Sequence, residues 1–277
     1  MAATQQAVAL TNNYRAQQAQ LTESTVGIVT ALWGGVNPDD IAGTYPVFLT
    51  PAIRALSVAQ QVSGGLAAGY LPAFIQASTG RPTPRPEVDP ATRAGLTTDG
   101  RPIGQALQRG LLQVKLALST GRPVPQAMDT GLAFAVRTTR TEVPQAGRDL
   151  LGEGMLHYHE VKGWVRVTSA RPCGACLARA GEFEPAGVAI DVHAACQCTA
   201  EPAIEEVPDR YPRMTGQEIF DAMSATEQDA LFAGRGGADK ADLIRNGDVP
   251  LSALVTVQDS YNSGRWITET PLAALTT

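Results

Sequence analysis

The sequence has few lysines, few histidines and few aromatic residues, and it contains no long apolar run. Among 277 residues it has 22 basic side chains, of which three are lysines, together with three histidines, 5% aromatic residues and a net charge of −5. A chain of this charge is not expected to coat DNA, because non-specific affinity comes chiefly from neutralised phosphates. Contact with DNA through local arginines stays open.

The absence of a long apolar run argues against a membrane partner. The longest such run, residues 64–75, is interrupted by glycine and proline,. A secretion signal is not expected either, because the first basic residue is Arg15,. The sequence therefore predicts a protein made in the cytoplasm, where cysteine pairs are more often metal sites than disulfides.

Helical patterns fill the N-terminal part of the chain. Apolar residues recur at spacings of four and seven over residues 5–33,. Asn-Pro at 37–38 and Thr-Pro at 50–51 mark two further helix starts. Gly64 and Gly65 predict that this helix ends or bends, and a further apolar helix is expected to continue to about residue 77.

Prolines and glycines divide the next part of the chain. Residues 81–100 contain four prolines and predict an exposed linker or a partner-binding arm,. Residues 103–119 are amphipathic, and residues 124–150 continue as a helix with a kink expected near Pro144. Residues 156–169 alternate in character and predict a strand or hairpin that turns at residues 162–163.

The C-terminal part predicts a small helical module. Ser224 and Glu227 have the spacing of a capping box, and further helices are expected at 215–222 and 239–246,. The glycine-rich residues 234–237 follow no predicted strand and are interpreted as a loop.

All four cysteines lie between residues 164 and 199. Cys173 and Cys176 form a C-x2-C pair, and after sixteen residues follow His193, Cys196 and Cys198. A C-x2-C turn places two sulfurs on one side, as a tetrahedral ion of the zinc type requires. We favour Cys173, Cys176 and Cys198 as ligands, with the fourth place open between the other two candidates. His193 reaches the thiols only if the chain turns at residues 194–195.

Two other states of the cysteines are compatible with the sequence. The thiols could form a disulfide-stapled loop, or they could be buried as free, small apolar side chains. The four cysteines allow three pairings, and their spacing does not choose among them.

The order of these segments resembles a family of phage proteins. Arg140-Thr141-Glu142 on a helix is followed by the strand 163–167, the cysteine pair and His-x2-Cys-x-Cys-Thr. This order is similar to that of the minor head proteins of tailed bacteriophages that are like the phage Mu F protein, the MuF-like proteins. The chain departs from their usual pattern at Ala194, where proline is common, and at Gln197, where arginine is common. The resemblance covers about residues 130–200.

The resemblance implies a structural role inside the capsid. A MuF-like protein is expected in a few copies per virion, synthesised in the host cytoplasm, bound to the portal protein and acting in head assembly, genome packaging or DNA delivery. The major capsid or scaffold protein and the packaged DNA are further expected partners. The resemblance also implies a buried polar tie from Arg140 and Glu142 to the cysteine hairpin, and it is compatible with one structural zinc.

A capsid maturation protease is the alternative function. Ser169 near His157 or His159 is one pairing of a nucleophile with a base that the sequence offers, and Cys196 with His193 is another,. The chain has no Gly-x-Ser-x-Gly elbow to support the first. The two strand histidines could also bind metal or be ordinary surface residues.

Together these patterns predict a mainly helical α+β protein with four regions. They are an N-terminal helical region (1–80), a Pro-rich linker or arm (81–100), a MuF-like core with a small β-hairpin and a Cys/His knuckle (101–204), and a helical C-terminal extension and tail (205–277).

Overall fold

The structure is a computed structural model that describes residues 4–169, 172–190, 193–204, 213–232, 237–259 and 265–276. Its first half is built from four long helices. These are α1 (Gln5–Trp33), α2 (Ile41–Thr79), α3 (Ile103–Ser119) and α4 (Val124–Met155). The mainly helical α+β class predicted from the sequence is confirmed.

Two small antiparallel sheets and several short helices follow the four long helices. The order is β1 (Gly163–Val167), α5 (Gly174–Leu177), β2 (Phe183–Pro185), β3 (Thr199–Ala203), α6 (Gly216–Asp221), α7 (Ala225–Leu231), α8 (Gly237–Arg245), a 3-10 turn (Leu251–Leu254), β4 (Val255–Asp259), β5 (Arg265–Glu269) and α9 (Leu272–Leu275). The strands pair in the orders β2-β1-β3 and β4-β5.

Helix α2 continues through residues 50–51, where the sequence predicted the start of a new helix, and through residues 64–65, where it predicted an end or a bend. It begins after Asp40, whose carboxylate accepts the N–H of Gly43, and it contains three prolines. A helix end at Gly64, one of the two predicted alternatives, is wrong because this glycine serves packing: an added Cβ would lie 3.2 Å from the carbonyl oxygen of Pro90. Packing of α2 on α1 and α4 outweighs the local cost of its prolines and glycines.

The four helices enclose two apolar cores, one towards each end of the bundle. One core is built around Trp33, whose ring meets Tyr45 and Phe48 edge-on at 5.9 and 5.1 Å. The other contains Tyr14 and Tyr70, whose rings stack at 4.5 Å. Trp164 of β1 belongs to the second core, so this end of the bundle carries the small sheet.

The Pro-rich segment is docked on the bundle in its second half. Gln60 of α2 donates to the carbonyl oxygen of Leu96 at 2.7 Å and accepts the N–H of Gly95 at 2.8 Å. Pro90 contacts α2 at Gly64. The prediction of an exposed arm is therefore wrong for these residues, because a buried glutamine side chain satisfies their backbone groups.

The three-stranded sheet is shorter than the sequence predicted. Strand β1 starts at Gly163, and residues 156–160 form turns after α4. Trp164 faces Pro202 in the β1–β3 register and Glu184 in the β1–β2 register. Every residue of β1 and β3 is buried, so these two strands are packed on both faces and hold the loops at their ends in place.

The C-terminal module has its own small core and packs on α5. The predicted capping box of α7 is confirmed by hydrogen bonds between Ser224 and Glu227, and α6 has a second one. Phe220 and Phe232 lie in a core with Leu177 of α5. A Cβ on Gly174 would lie 2.3 Å from the ring of Phe232, so glycine is required at this contact. The predicted loop at 234–237 lies largely outside the described residues.

Helix α2 is the one described helix that is long and apolar enough to cross a membrane by length and composition. In its most apolar 18-residue window 22% of the helix is buried, and α2 packs on α1 and α4 in both apolar cores.

Candidate metal centre

Two short segments bring the four thiols and one imidazole together. Cys173 is the N-cap of α5, and its sulfur accepts the N–H of Cys176 at 3.4 Å. His193, Cys196 and Cys198 come from the loop that leads into β3. The C-x2-C turn and the end of the sheet thus meet, as the sequence predicted.

The five donor atoms form two overlapping sets. Nε2 of His193 lies 3.0 Å from Sγ of Cys173 and 3.0 Å from Sγ of Cys176. Sγ of Cys176 also lies 3.4 Å from Sγ of Cys196. Within each set, Cys173-Cys176-His193 and Cys176-Cys196-Cys198, all donor atoms lie within 4.8 Å of one another. Cys176 belongs to both sets, and the cluster could hold a metal ion.

All four cysteines are free thiols in the structure. Cys176, Cys196 and Cys198 are buried and form an apolar cluster of their own, whereas Cys173 is exposed. The cluster therefore has a closed inner side of thiols and an outer side where Cys173 meets His193.

The predicted turn at residues 194–195 is present. The N–H of Cys196 donates to the carbonyl oxygen of His193 at 3.1 Å, and Ala195 has a φ of 60°. This left-handed conformation is uncommon outside glycine, and here it points His193 and Cys196 towards the same place. Oγ1 of Thr141 on α4 accepts the N–H of Ala195 at 3.0 Å and so fixes the turn.

Arg148 of α4 holds the backbone of the second cysteine pair. Its guanidinium donates to the carbonyl oxygens of Cys196 at 2.6 Å and Cys198 at 2.9 Å, and also to Oε1 of Gln145. The side chain is 4% exposed. Two carbonyls that would otherwise be buried without donors are thus satisfied by one buried cation.

The pKa values of the donors in the cluster are shifted in different directions. The hydrogen bond from Cys176, with the nearby His193, lowers the pKa of Cys173 to about 4 against the opposing effect of burial. Burial lowers the pKa of His193, but its bonds to Cys173 and Cys196 outweigh burial and raise it to about 10. Hydrogen bonds from Cys176 and Cys198 lower the pKa of Cys196. Thiolate, the form that binds metal, is therefore favoured at two positions.

Arg140 and Glu142 have other partners than the cysteine hairpin. Arg140 forms a two-pronged ion pair with Glu23 of α1 at 2.9 and 2.8 Å, on a half-exposed surface. Oε2 of Glu142 accepts the N–H and the hydroxyl of Thr98 at 2.7 and 2.9 Å. The tie to the cysteine segment comes instead from Thr141 and Arg148, which lie two turns apart on one face of the same helix,.

Glu142 is a buried acid with a raised pKa. Burial raises the pKa from its usual 4.5 to about 7 against the bonds from Thr98, and the charges of Asp99 and Asp149 add to the rise. Between these two values the folded chain holds a proton that the unfolded chain has lost. The free energy of unfolding therefore falls as the pH rises through this window.

We expect Glu142→Gln to remove this pH dependence. Between pH 4.5 and pH 8 the parent should lose about 3 kcal/mol of stability relative to the variant,. This value follows from about 1.4 kcal/mol for each unit by which the pKa is raised. Urea denaturation at a series of pH values measures it. Glu23→Gln, at a half-exposed carboxylate, is the matched control; a constant difference for Glu142→Gln would contradict the buried acid.

The two pairs of nucleophile and base predicted for a capsid maturation protease lie in different parts of the structure. His157 and His159 are exposed in the turns after α4, and the side chain of His159 is 90% exposed beside Glu160. Ser169 lies beyond the end of β1. Cys196 and His193 lie together, but inside the thiol cluster.

Sequence reasoning missed two residues of the centre, Thr141 and Arg148. A signal for Thr141 was its place inside the Arg-Thr-Glu run. Arg148 had a weaker signal: it lies in the same helix as the apolar residues Val143 and Leu151, and a buried arginine needs partners,.

Comparisons with protein-family models, with curated proteins and with solved structures find no match to this chain.

Proposed function

We propose that the thiol cluster is a structural zinc centre and that the chain is a structural minor head protein of a tailed phage. The observation that carries the first part is the meeting of four thiols and an imidazole around Cys176. Four thiolate or imidazole donors are the usual set for a structural zinc ion.

Cys173, Cys176, His193 and Cys196 are the proposed ligands. Nε2 of His193 lies 3.0 Å from the sulfurs of both Cys173 and Cys176, and the sulfur of Cys176 lies 3.4 Å from that of Cys196. In a tetrahedral site with zinc–sulfur bonds of about 2.3 Å, neighbouring sulfurs lie about 3.8 Å apart. The sulfurs of Cys176 and Cys196 lie 3.4 Å apart here. Cys198 shares a donor set with Cys176 and Cys196, and His193 is not in that set. Cys198 is the fifth donor, and the proposed set differs from the one that spacing alone favoured.

A zinc ion at this place supports the fold and has no reactive role. Four protein ligands fill a tetrahedral coordination sphere and leave no position for a substrate. The ion ties α5 to the loop before β3, while Arg148 and Thr141 tie that loop to α4. The metal thus fastens the sheet and the C-terminal module to the helical bundle.

The role in the phage head rests on the order of the segments that build the centre. Arg-Thr-Glu, the strand, the cysteine pair and His-x2-Cys-x-Cys-Thr resemble the MuF-like minor head proteins. What supports the proposal is that Thr141 of this run contacts the loop between His193 and Cys196. The implied partners are the portal protein and, inside the capsid, the major capsid or scaffold protein and the packaged DNA.

Metal analysis of the purified full-length chain tests the zinc centre. We expect about one zinc per chain, with no disulfide under non-reducing conditions. Full occupancy of disulfides without metal would contradict the proposal, and so would four free thiols without metal.

Detection in purified particles tests the phage role separately. Virions of the phage that encodes this sequence would be banded by density, treated with nuclease and protease, and analysed by quantitative mass spectrometry. We expect a few protected copies per particle, and co-purification with the portal protein from detergent-free extracts. A chain that is absent from the particles would refute the head role and leave the zinc result unaffected.

A further inference from the structure

A cationic groove lies between α3 and α4, outside the zinc ligands. It encloses about 320 Å³ and opens to solvent. Its walls carry three arginines, two carboxylates and one aromatic ring: Arg101, Arg109, Arg137, Asp99, Glu142 and Phe134. We name these residues the α3–α4 groove.

The arginines of the groove have more donors than the protein uses. Arg109 and Arg137 are exposed on facing helices, and their guanidinium groups form no hydrogen bond or ion pair with any residue that the structure describes. Nε of Arg101 is buried and likewise has no hydrogen-bond partner in the described part of the chain. A buried donor without an acceptor is costly, which makes an external acceptor favourable.

The carboxylates near the groove are engaged within the protein. Oε2 of Glu142 accepts two hydrogen bonds from Thr98, and Asp99 pairs with Arg101 and Thr97. With three arginines against two carboxylates, the lining of the groove carries a net positive charge on a chain whose net charge is −5.

We propose that the α3–α4 groove binds phosphate groups through Arg109 and Arg137. Arg109 of α3 and Arg137 of α4 line the same groove, and an arginine can hold the oxygens of a phosphate with paired hydrogen bonds,. Phe134 on α4 is half-buried in the same wall and offers a ring on which a base can stack,. The phosphate belongs either to a nucleic acid strand or to a free polyphosphate compound. This site goes beyond the proposed head role, which assigns none.

Fluorescence anisotropy with the full-length chain and a labelled single-stranded oligothymidine tests the site, with inorganic pyrophosphate as competitor. We expect saturable binding that weakens about 5- to 10-fold between 50 and 200 mM salt, as for two neutralised phosphates. The double variant Arg109→Gln with Arg137→Gln should weaken binding at least tenfold. Arg81→Gln, an exposed arginine beyond the end of α2, is the control and should bind as the parent does.

Each outcome either distinguishes a nucleic acid ligand from a free polyphosphate or contradicts the proposed phosphate site. Binding of the oligonucleotide that also weakens with Phe134→Leu identifies a nucleic acid ligand. Binding of pyrophosphate alone, measured by calorimetry and lost in the double variant, identifies a free polyphosphate. The proposal is overturned if neither probe binds, or if Arg81→Gln weakens binding as much as the double variant. Unchanged zinc content and circular dichroism show that each variant is folded.

Discussion

Replacement of Cys176 by serine is expected to abolish zinc binding by the full-length chain. Cys176 lies in both donor sets, 3.0 Å from Nε2 of His193 and 3.4 Å from Sγ of Cys196. A hydroxyl is a poor substitute for a thiolate, and even changes outside the ligand set cost about 10- to 100-fold in metal affinity. We therefore expect a loss of more than about a hundredfold, measured by competition with a chromogenic chelator.

Cys198→Ser is the matched control for this experiment. Both cysteines are buried, at 2% and 4% exposure, so the two changes cost similar packing. We expect the Cys198 variant to keep about one zinc per chain, because Cys198 is the donor outside the proposed set. Loss of zinc from the Cys198 variant with retention in the Cys176 variant would show that the ligand assignment is wrong.

Arg148→Met is expected to destabilise the protein by about 3 kcal/mol. The change removes the donors to the carbonyl oxygens of Cys196 and Cys198, and each buried carbonyl left without a partner costs about 1–3 kcal/mol,. Because the same bonds orient the backbone of two thiols, zinc affinity should also fall about 10- to 100-fold. Urea denaturation and the chelator competition measure the two effects.

Arg140→Met is the control for Arg148→Met. It removes another guanidinium group from α4 without removing the hydrogen bonds to the carbonyl oxygens of Cys196 and Cys198. Arg140 pairs with Glu23 on a half-exposed surface, and exposed ion pairs contribute about 0–1 kcal/mol,. Its zinc affinity should equal that of the parent. Equal destabilisation by the two variants would mean that the carbonyl bonds of Arg148 contribute little.

Local signals predicted the elements whose geometry is set by neighbouring residues. The bounds of α1 and α3, the capping box of α7 and the turn at residues 194–195 follow from periodicity, side-chain caps and the need to bring His193 to the thiols. These features depend on contacts within a few residues, so their patterns are visible in the sequence.

Long-range packing decided the features that the sequence did not predict. Helix α2 continues through Gly64 because Pro90 packs against it, and residues 95–96 are held by Gln60. Arg148 meets Cys196 and Cys198 across 48 and 50 residues of sequence. Each of these contacts requires the tertiary fold, which no local pattern contains.

The contact between Gly174 and Phe232 also has a consequence for the order in which the parts of the chain fold. The surface that receives Phe232 is α5, whose first turn is formed by the cysteine pair, and the helical bundle precedes both along the chain. During synthesis the bundle can therefore form first, then the knuckle, and the C-terminal module last. If the proposed zinc ion holds α5 in place, a chain without zinc would leave Phe232 uncovered, and faster proteolysis at residues 213–232 would reveal this state.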